Sequence, residues 1–248
     1  MKISKDKKEE NRRTIIEAAV ALIGENGFKT ATMRQIARSA GLGEATIYNY
    51  FPTKEAILYA FYEEHVLTCI DRLKAVPQFE TFSVQEQLQT LFNTSLELYL
   101  PNREFVGETF RLALLGVSRD WPQVKPIRTA FLSAVQDILS AAEEVGEIPA
   151  QVFKELLGQF FMDAYLGVVL YWLRDRSEGF ENTSVLIDQG LGLSCAMLKA
   201  GVANKLFDMA VFLFKTHILD RMEFFMAPLK QTDAVKRRFM EAMDDATR

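Results

Sequence analysis

Between Thr32 and Lys54 the chain sets out a guanidinium (Arg34), a carboxylate (Glu44), hydroxyls (Thr32, Thr46, Tyr48, Tyr50), an amide (Asn49) and an ammonium (Lys54). These groups bond the phosphate oxygens and base edges of a duplex. Lys54 follows Thr53, a residue type that caps helices, and an ammonium beside free helix amides is an anion site. Glu44 has two readings: it complements the dipole at the start of its helix, or it accepts from cytosine N4 in the major groove. Elsewhere chemistry is sparse. His65 and Cys69 lie one helical turn apart, a spacing that can share a metal, but a closed tetrahedral site needs four ligands and would have to take the only other residues of these types, His217 and Cys195, as well. Both are read as core, with no metal and no cofactor. No glycine-rich phosphate loop and no Ser/His/Asp signature stands in the sequence, so an enzyme is not expected.

The elements that must position these groups are helices. Ile15, Ala19, Leu22 and Ile23 recur at helical spacing and Gly27 stops them, which predicts a first helix from about Lys8 to Asn26. Thr32 with Gln35 has the form of a capping box, opening a second helix that Gly41 ends. Residues 44–50 fit a third, short helix before Phe51-Pro52, because proline disfavours the α conformation in its predecessor. Thr53 caps a long fourth helix, whose stripe of Leu58, Tyr62, His65, Val66, Cys69 and Leu73 runs down to Pro77. Two short helices across a tight glycine-containing turn, braced by a preceding one, form a helix-turn-helix with residues 44–50 as its reading element. Ile36, Ala37, Leu42, Ile47 and Phe51 are expected to pack on Leu22 and Phe28, leaving the polar set outward.

The run Thr32-x-Arg34-x-Ile36-Ala37, then Leu42-Gly43-x-Ala45-Thr46-Ile47-Tyr48-Asn49-Tyr50-Phe51-Pro52-Thr53-Lys54-Glu55 and Leu58, resembles the DNA-binding signature of TetR-type (tetracycline-repressor-like) transcriptional regulators. The match is dense over about Arg12 to Tyr62. The resemblance implies a double-stranded DNA operator as partner and assigns roles: Thr32 and Lys54 to phosphates, Arg34, Glu44 and Thr46 to bases or backbone, Tyr48, Asn49 and Tyr50 to the backbone. Gly43 departs from the pattern. Many relatives carry Ser or Thr there, whereas glycine offers only its amide. For the rest of the chain the layout alone is similar, acidic and helical throughout.

Of 248 residues, 49% are hydrophobic and 25% charged, enough for one or two folded domains. Residues 1–54 carry ten basic groups and six acidic ones, the remainder 19 and 27, so a polyanion partner fits the first part alone. The apolar stretches near 160–173 and 206–214 are bounded by charge before reaching the length of a membrane span, and the start lacks a secretory pattern; the expected location is cytoplasmic. Further helices are predicted near 84–100, 103–118, 123–145, 150–175, 183–200 and 204–226, with a polar piece near 232–246. The fold class is all-α: a helix-turn-helix DNA-binding domain over 1–54 and a larger helical ligand-binding and dimerisation domain over 55–248.

In that larger part Phe110, Trp121, Phe131, Phe161 and Tyr165, with Phe160, Tyr171 and Trp172, are candidates to line an apolar cavity for a small-molecule effector of unknown identity; the plainer reading makes them core. Asp163, set in an apolar helix, needs a cation, a hydrogen bond or a group across an interface. Gly190, Gly192, Ser194 and Ala196 beside Leu186, Leu191, Leu193 and Leu198 let a partner helix approach, so a homodimer through about 150–175 and 183–200 is expected. The apolar run from Leu206 to Phe214 is expected to be buried, in the dimer interface or over the ligand cavity, rather than laid on a membrane. The function read from all this is a ligand-released homodimeric repressor on a palindromic operator. Its rivals are a helical ligand carrier or partner-docking protein whose helix-turn-helix only packs, and a helical enzyme with Asp163 beside a second titratable group.

Overall fold

The computed structural model describes residues 4–115 and 122–213, which leaves Trp121 and the polar piece near 232–246 outside the described residues. Two units divide the chain, Met1–Lys199 and Ala200–Arg248. All regular structure among the described residues is helical.

Helix α1 (Lys5–Asn26) starts at Lys5 rather than Lys8, because Ser4 caps it: its hydroxyl accepts from the Lys7 amide at 3.2 Å. Helix α2 (Met33–Ser39) opens on the expected capping box, the Gln35 amide on Thr32 Oγ1 at 3.3 Å and the Thr32 amide on Gln35 Oε1 at 2.9 Å. It closes on Gly41, whose φ of 67° is open to glycine at little cost; Gly41 N donates to Arg38 O at 3.1 Å and Leu42 N to Ala37 O at 2.9 Å. Helix α3 (Glu44–Tyr48) ends before Tyr50, since Pro52 turns the chain out of helical geometry and Phe51 N closes the end on Ile47 O at 2.9 Å. Helix α4 (Lys54–Lys74) begins at the Thr53 cap, Ala56 N donating to its hydroxyl at 3.1 Å.

Helices α5 (Val84–Tyr99), α6 (Arg103–Phe110), α7 (Lys125–Glu144), α8 (Lys154–Trp172) and α9 (Glu181–Lys199) complete the first unit, and α6 runs on into a π-helical turn at Arg111–Leu115. Ile36, Ala37, Ile47, Phe51 and Phe28 are buried, with Leu22 and Leu42 half-buried against them, so the helix-turn-helix closes around the core its sequence implies. Each of the buried isoleucine and phenylalanine side chains contributes about 1.5–3 kcal/mol by leaving water. Helix α4 packs on α1 and also on α5 and α7, and so belongs to both halves of the unit. At the α8–α9 turn the Asp175 carboxylate accepts from the Thr183 hydroxyl at 2.6 Å and from the Ser177 and Thr183 amides, each at 2.9 Å, which holds its pKa well below the usual carboxylate range. Arg103 donates to the carbonyls of Trp172 and Asp175 at 2.9 and 3.1 Å, fastening this turn to α6.

In the second unit, α10 (Val202–Leu213) exposes Leu206, Met209 and Phe212. The expectation that the apolar run is buried does not hold for these three within a single chain; their helical spacing puts them on one wet stripe, while Val211 is half-buried, and the side chains of the rest of the run lie outside what is described. No helix among the described residues is long and apolar enough to cross a membrane.

Candidate nucleic-acid interface

Helix α3 presents two faces because its residues alternate in chemistry over barely one turn. Ile47 is fully buried, and its neighbour Tyr48 is 49% exposed. Glu44 and Asn49 are exposed, as are Thr32 and Gly43, while Thr46 and Tyr50 are half-buried. Arg34 on α2 reaches Glu44 on α3, Nε to Oε2 at 3.6 Å; with 83% of the arginine side chain exposed, this pair is screened by water and easily traded for a nucleic-acid contact. Gly43 caps α3 with no side-chain bond.

Two polar residues of α1 that sequence reasoning passed over brace this reader. Asn11 Nδ2 donates to Tyr50 Oη at 3.0 Å, which leaves the tyrosine's own hydrogen free to donate. Arg12 pairs with Glu64 of α4 and lies over the Phe51 ring, 5.6 Å from its centroid. Lys54 is half-buried. Its Nζ donates to the carbonyls of Phe28 and Ala31, the latter at 2.6 Å, and sits 4.3 Å from the Phe28 ring centroid. An ammonium has three donors, so one stays available to an anion. The lysine at the start of α4 thus ties that helix to the turn between α1 and α2.

A second site lies between α4, α5, α7 and α8: a cavity of about 30 Å³ walled by, among others, Tyr62, His65, Ser95, Tyr99, Phe131 and Tyr165. Phe131 stacks on Tyr165 with centroids 4.8 Å apart. Phe110 and Phe161 are buried outside this wall, and Trp172 is buried beside Arg103. Phe160 and Tyr171 are exposed, and so is Asp163, which accepts from Gln159 Nε2 at 2.5 Å. The reason is register: α8 buries Phe161, Met162, Tyr165, Val168 and Val169, and the turn-spaced Phe160 and Asp163 fall on the opposite stripe. The anticipated carboxylate inside an apolar helix is therefore a solvated one.

Sequence reasoning placed Tyr62, His65 and Cys69 in a core stripe and passed over Ser95 and Tyr99. A serine at the buried spacing of an amphipathic helix was the available signal. His65 Nε2 lies 2.7 Å from Ser95 Oγ, its ring stacks on Tyr99 at 3.5 Å, and burial pushes its pKa down to about 3, so it is neutral. Burial pushes the Cys69 thiol up to about 12, and its Sγ points at Leu91 O at 3.7 Å. No group of His, Cys, Asp and Glu among the described residues is arranged to hold a metal ion.

Residues 15–61 match the model described as bacterial regulatory proteins, tetR family, and residues 87–213, half of the chain, match the tetracyclin repressor-like C-terminal domain. The chain belongs to the TetR family. It is a DNA-binding transcriptional regulator of the ligand-responsive, repressor-like kind, a class distinct from enzymes. Among its relatives is the fatty acid metabolism regulator protein of Bacillus subtilis, 28% identical over 160 residues, which span 64% of this chain and 81% of that one. Two solved TetR-fold structures are each 25% identical. FadR of Bacillus subtilis in complex with stearoyl-CoA superposes with a TM-score of 0.61 over 76% of this chain and 98% of its own. FadR of Thermus thermophilus in complex with lauroyl-CoA gives 0.52 over 71% and 92%.

Proposed function

We propose that this TetR-family protein is a homodimeric repressor that binds a palindromic operator in the cytoplasm and leaves it when a long-chain acyl thioester occupies the cavity beside α4. Residues 1–54 are the reading module and residues 55–248 the effector and dimer module. Arg34, Glu44 and Thr46 meet base edges or backbone; Thr32, the Gly43 amide, Tyr48, Asn49, Tyr50 and the third donor of Lys54 meet the backbone. Two reading helices sit about 34–36 Å apart, or a multiple of that.

The dimer runs through α8 and α9. Leu156 and Phe160 on α8 and Val185, Leu193 and Met197 on α9 stand exposed in one chain, and a Cβ added at Gly167 or Gly190 would meet nothing, so a partner helix has room to approach. The acyl thioester comes from the two FadR relatives and from the cavity's mainly apolar wall.

The observation that carries the proposal is the placement of α4. At one end its Lys54 is bonded to the turn carrying the helix-turn-helix, and two to three turns along its Tyr62 and His65 wall the cavity. A ligand that prefers one tilt of this helix shifts the population of reading-helix spacings, in proportion to its differential affinity. The test is a mobility shift on the DNA flanking its own gene, titrated with lauroyl-CoA, stearoyl-CoA and free coenzyme A. Release by the acyl thioesters and not by coenzyme A is expected; a complex indifferent to all three overturns the effector assignment.

A further inference from the structure

The cavity beside α4 has a polar pole and no charge, and this decides what class of molecule it can take. The inference rests on the reading of that cavity as the effector site and sharpens it. Val66, Leu91, Ile127, Met162 and Leu166 make an apolar side. On the other side His65 Nε2, Ser95 Oγ and Tyr165 Oη form a chain with separations of 2.7 and 2.5 Å. Among the described residues no charged side chain lines the cavity. The cation beside it, Arg128, touches the Met162 sulfur at 3.9 Å and donates to Gln159 Oε1.

Counting hydrogens shows what the pole offers. A neutral imidazole, a serine and a tyrosine carry one polar hydrogen each, and the chain's two bonds use two of the three. The Tyr99 hydroxyl, which also bonds Tyr165, adds one hydrogen and one bond, so whichever way the bonds run one donor is left over, on His65, Ser95, Tyr165 or Tyr99. Tyr62 is already committed: Thr109 Oγ1 gives its hydrogen to Phe105 O at 2.7 Å, so the tyrosine must donate to Thr109 across 2.9 Å. The remaining donor suits a neutral acceptor. A carboxylate in the same place would have lost its water without gaining a cation, a cost of several kcal/mol. A cavity of about 30 Å³ holds about one water, so a chain enters by displacing side chains. The pliant ones are Met162, with its flexible thioether, and Leu114, carried on the π-helical turn of α6.

We propose that this cavity recognises a neutral acyl carbonyl, as ester or thioester on an aliphatic chain, through the His65–Ser95–Tyr165 hydrogen-bond chain, and rejects the corresponding free carboxylate.

The test is calorimetric titration of the full-length protein at pH 7.5 with methyl decanoate and with decanoate, in wild type, Tyr165→Phe, Ser95→Ala and Arg128→Met. The ester is expected to bind wild type at least about tenfold tighter than the acid, equivalent to about 1.4 kcal/mol. Tyr165→Phe and Ser95→Ala each lower ester affinity about tenfold and leave the acid unchanged, and Arg128→Met alters neither. Circular dichroism checks that each variant folds, and His65→Gln supplies the same comparison where one does not. Equal or tighter binding of decanoate, or ester affinity unmoved by the folded variants, overturns the inference. The parent reading fails separately: an ester preference without duplex release by lauroyl-CoA upholds the inference and sinks the effector role, while duplex release with no ester preference does the reverse.

Discussion

Ile47 and Tyr48 are adjacent, yet the first is fully buried and the second exposed, and on the proposed reading the first serves stability and the second recognition. Ile47→Ala removes a fully buried side chain and is expected to destabilise by about 2–5 kcal/mol in urea unfolding. Tyr48→Ala, at an exposed position, leaves the unfolding midpoint within about 0.5 kcal/mol and weakens operator binding. On the proposed reading Lys54 combines both roles. Lys54→Met should cost about 1–3 kcal/mol by stranding the carbonyls of Phe28 and Ala31, and should lower the slope of log K against log salt by about one; a variant with full stability and an unchanged slope contradicts both assignments. His65 supplies a pH signature. Its folded pKa of about 3 lies below the unfolded value, so unfolding takes up a proton between the two. The stability linked to its neutral burial is complete above about pH 6.5 and falls as pH drops toward 3, by up to about 1.4 kcal/mol per unit. Denaturation between pH 6.5 and 4 checks this: His65→Gln should flatten the dependence.

Each element of the reading module carries its own punctuation, and there the sequence was most informative. The Thr32/Gln35 box, the Gly41 stop and the Thr53 cap are local signals, decided by residues within a few positions, and the structure places all three where the spacing predicted. Gly41→Ala tests the stop: at a φ of 67° a Cβ is strained although nothing lies within 4 Å of it, so a loss of about 1–2 kcal/mol is expected from thermal unfolding, and no loss would show that the turn rearranges. The cavity was harder to foresee. Phe131 and Tyr165 do line it, but its polar pole joins His65, Ser95 and Tyr165, residues whose meeting depends on the packing of α4, α5 and α8. Asp163 was misplaced for a related reason: α8 is apolar on nearly every side, so hydropathy alone does not say which stripe is inside. Nor does spacing tell that the Lys54 ammonium has carbonyl partners on another element.

Over the whole chain, charge and apolar surface are segregated by task. The first 54 residues are net basic and the remainder net acidic, which directs a polyanion to the reading module and away from the helical body. Exposed apolar side chains gather on α8 and α9, a pattern that a two-fold partner would cover. Leu193 is 66% exposed, so Leu193→Arg should leave the fold intact while sedimentation shifts to monomer and operator affinity collapses, because one reader alone contacts too little DNA; a dimer that persists would move the interface elsewhere. Repression of this kind requires the polar face of α3 to meet a duplex. Fluorescence anisotropy of a labelled duplex from upstream of the gene, titrated with the protein from low to high salt, tests that most directly. The predicted result is tight binding that weakens linearly in log salt with a slope of several units, and a parallel, weaker line for Tyr48→Ala. Absent or salt-insensitive binding, or a Tyr48→Ala line that overlies the wild type, would contradict it.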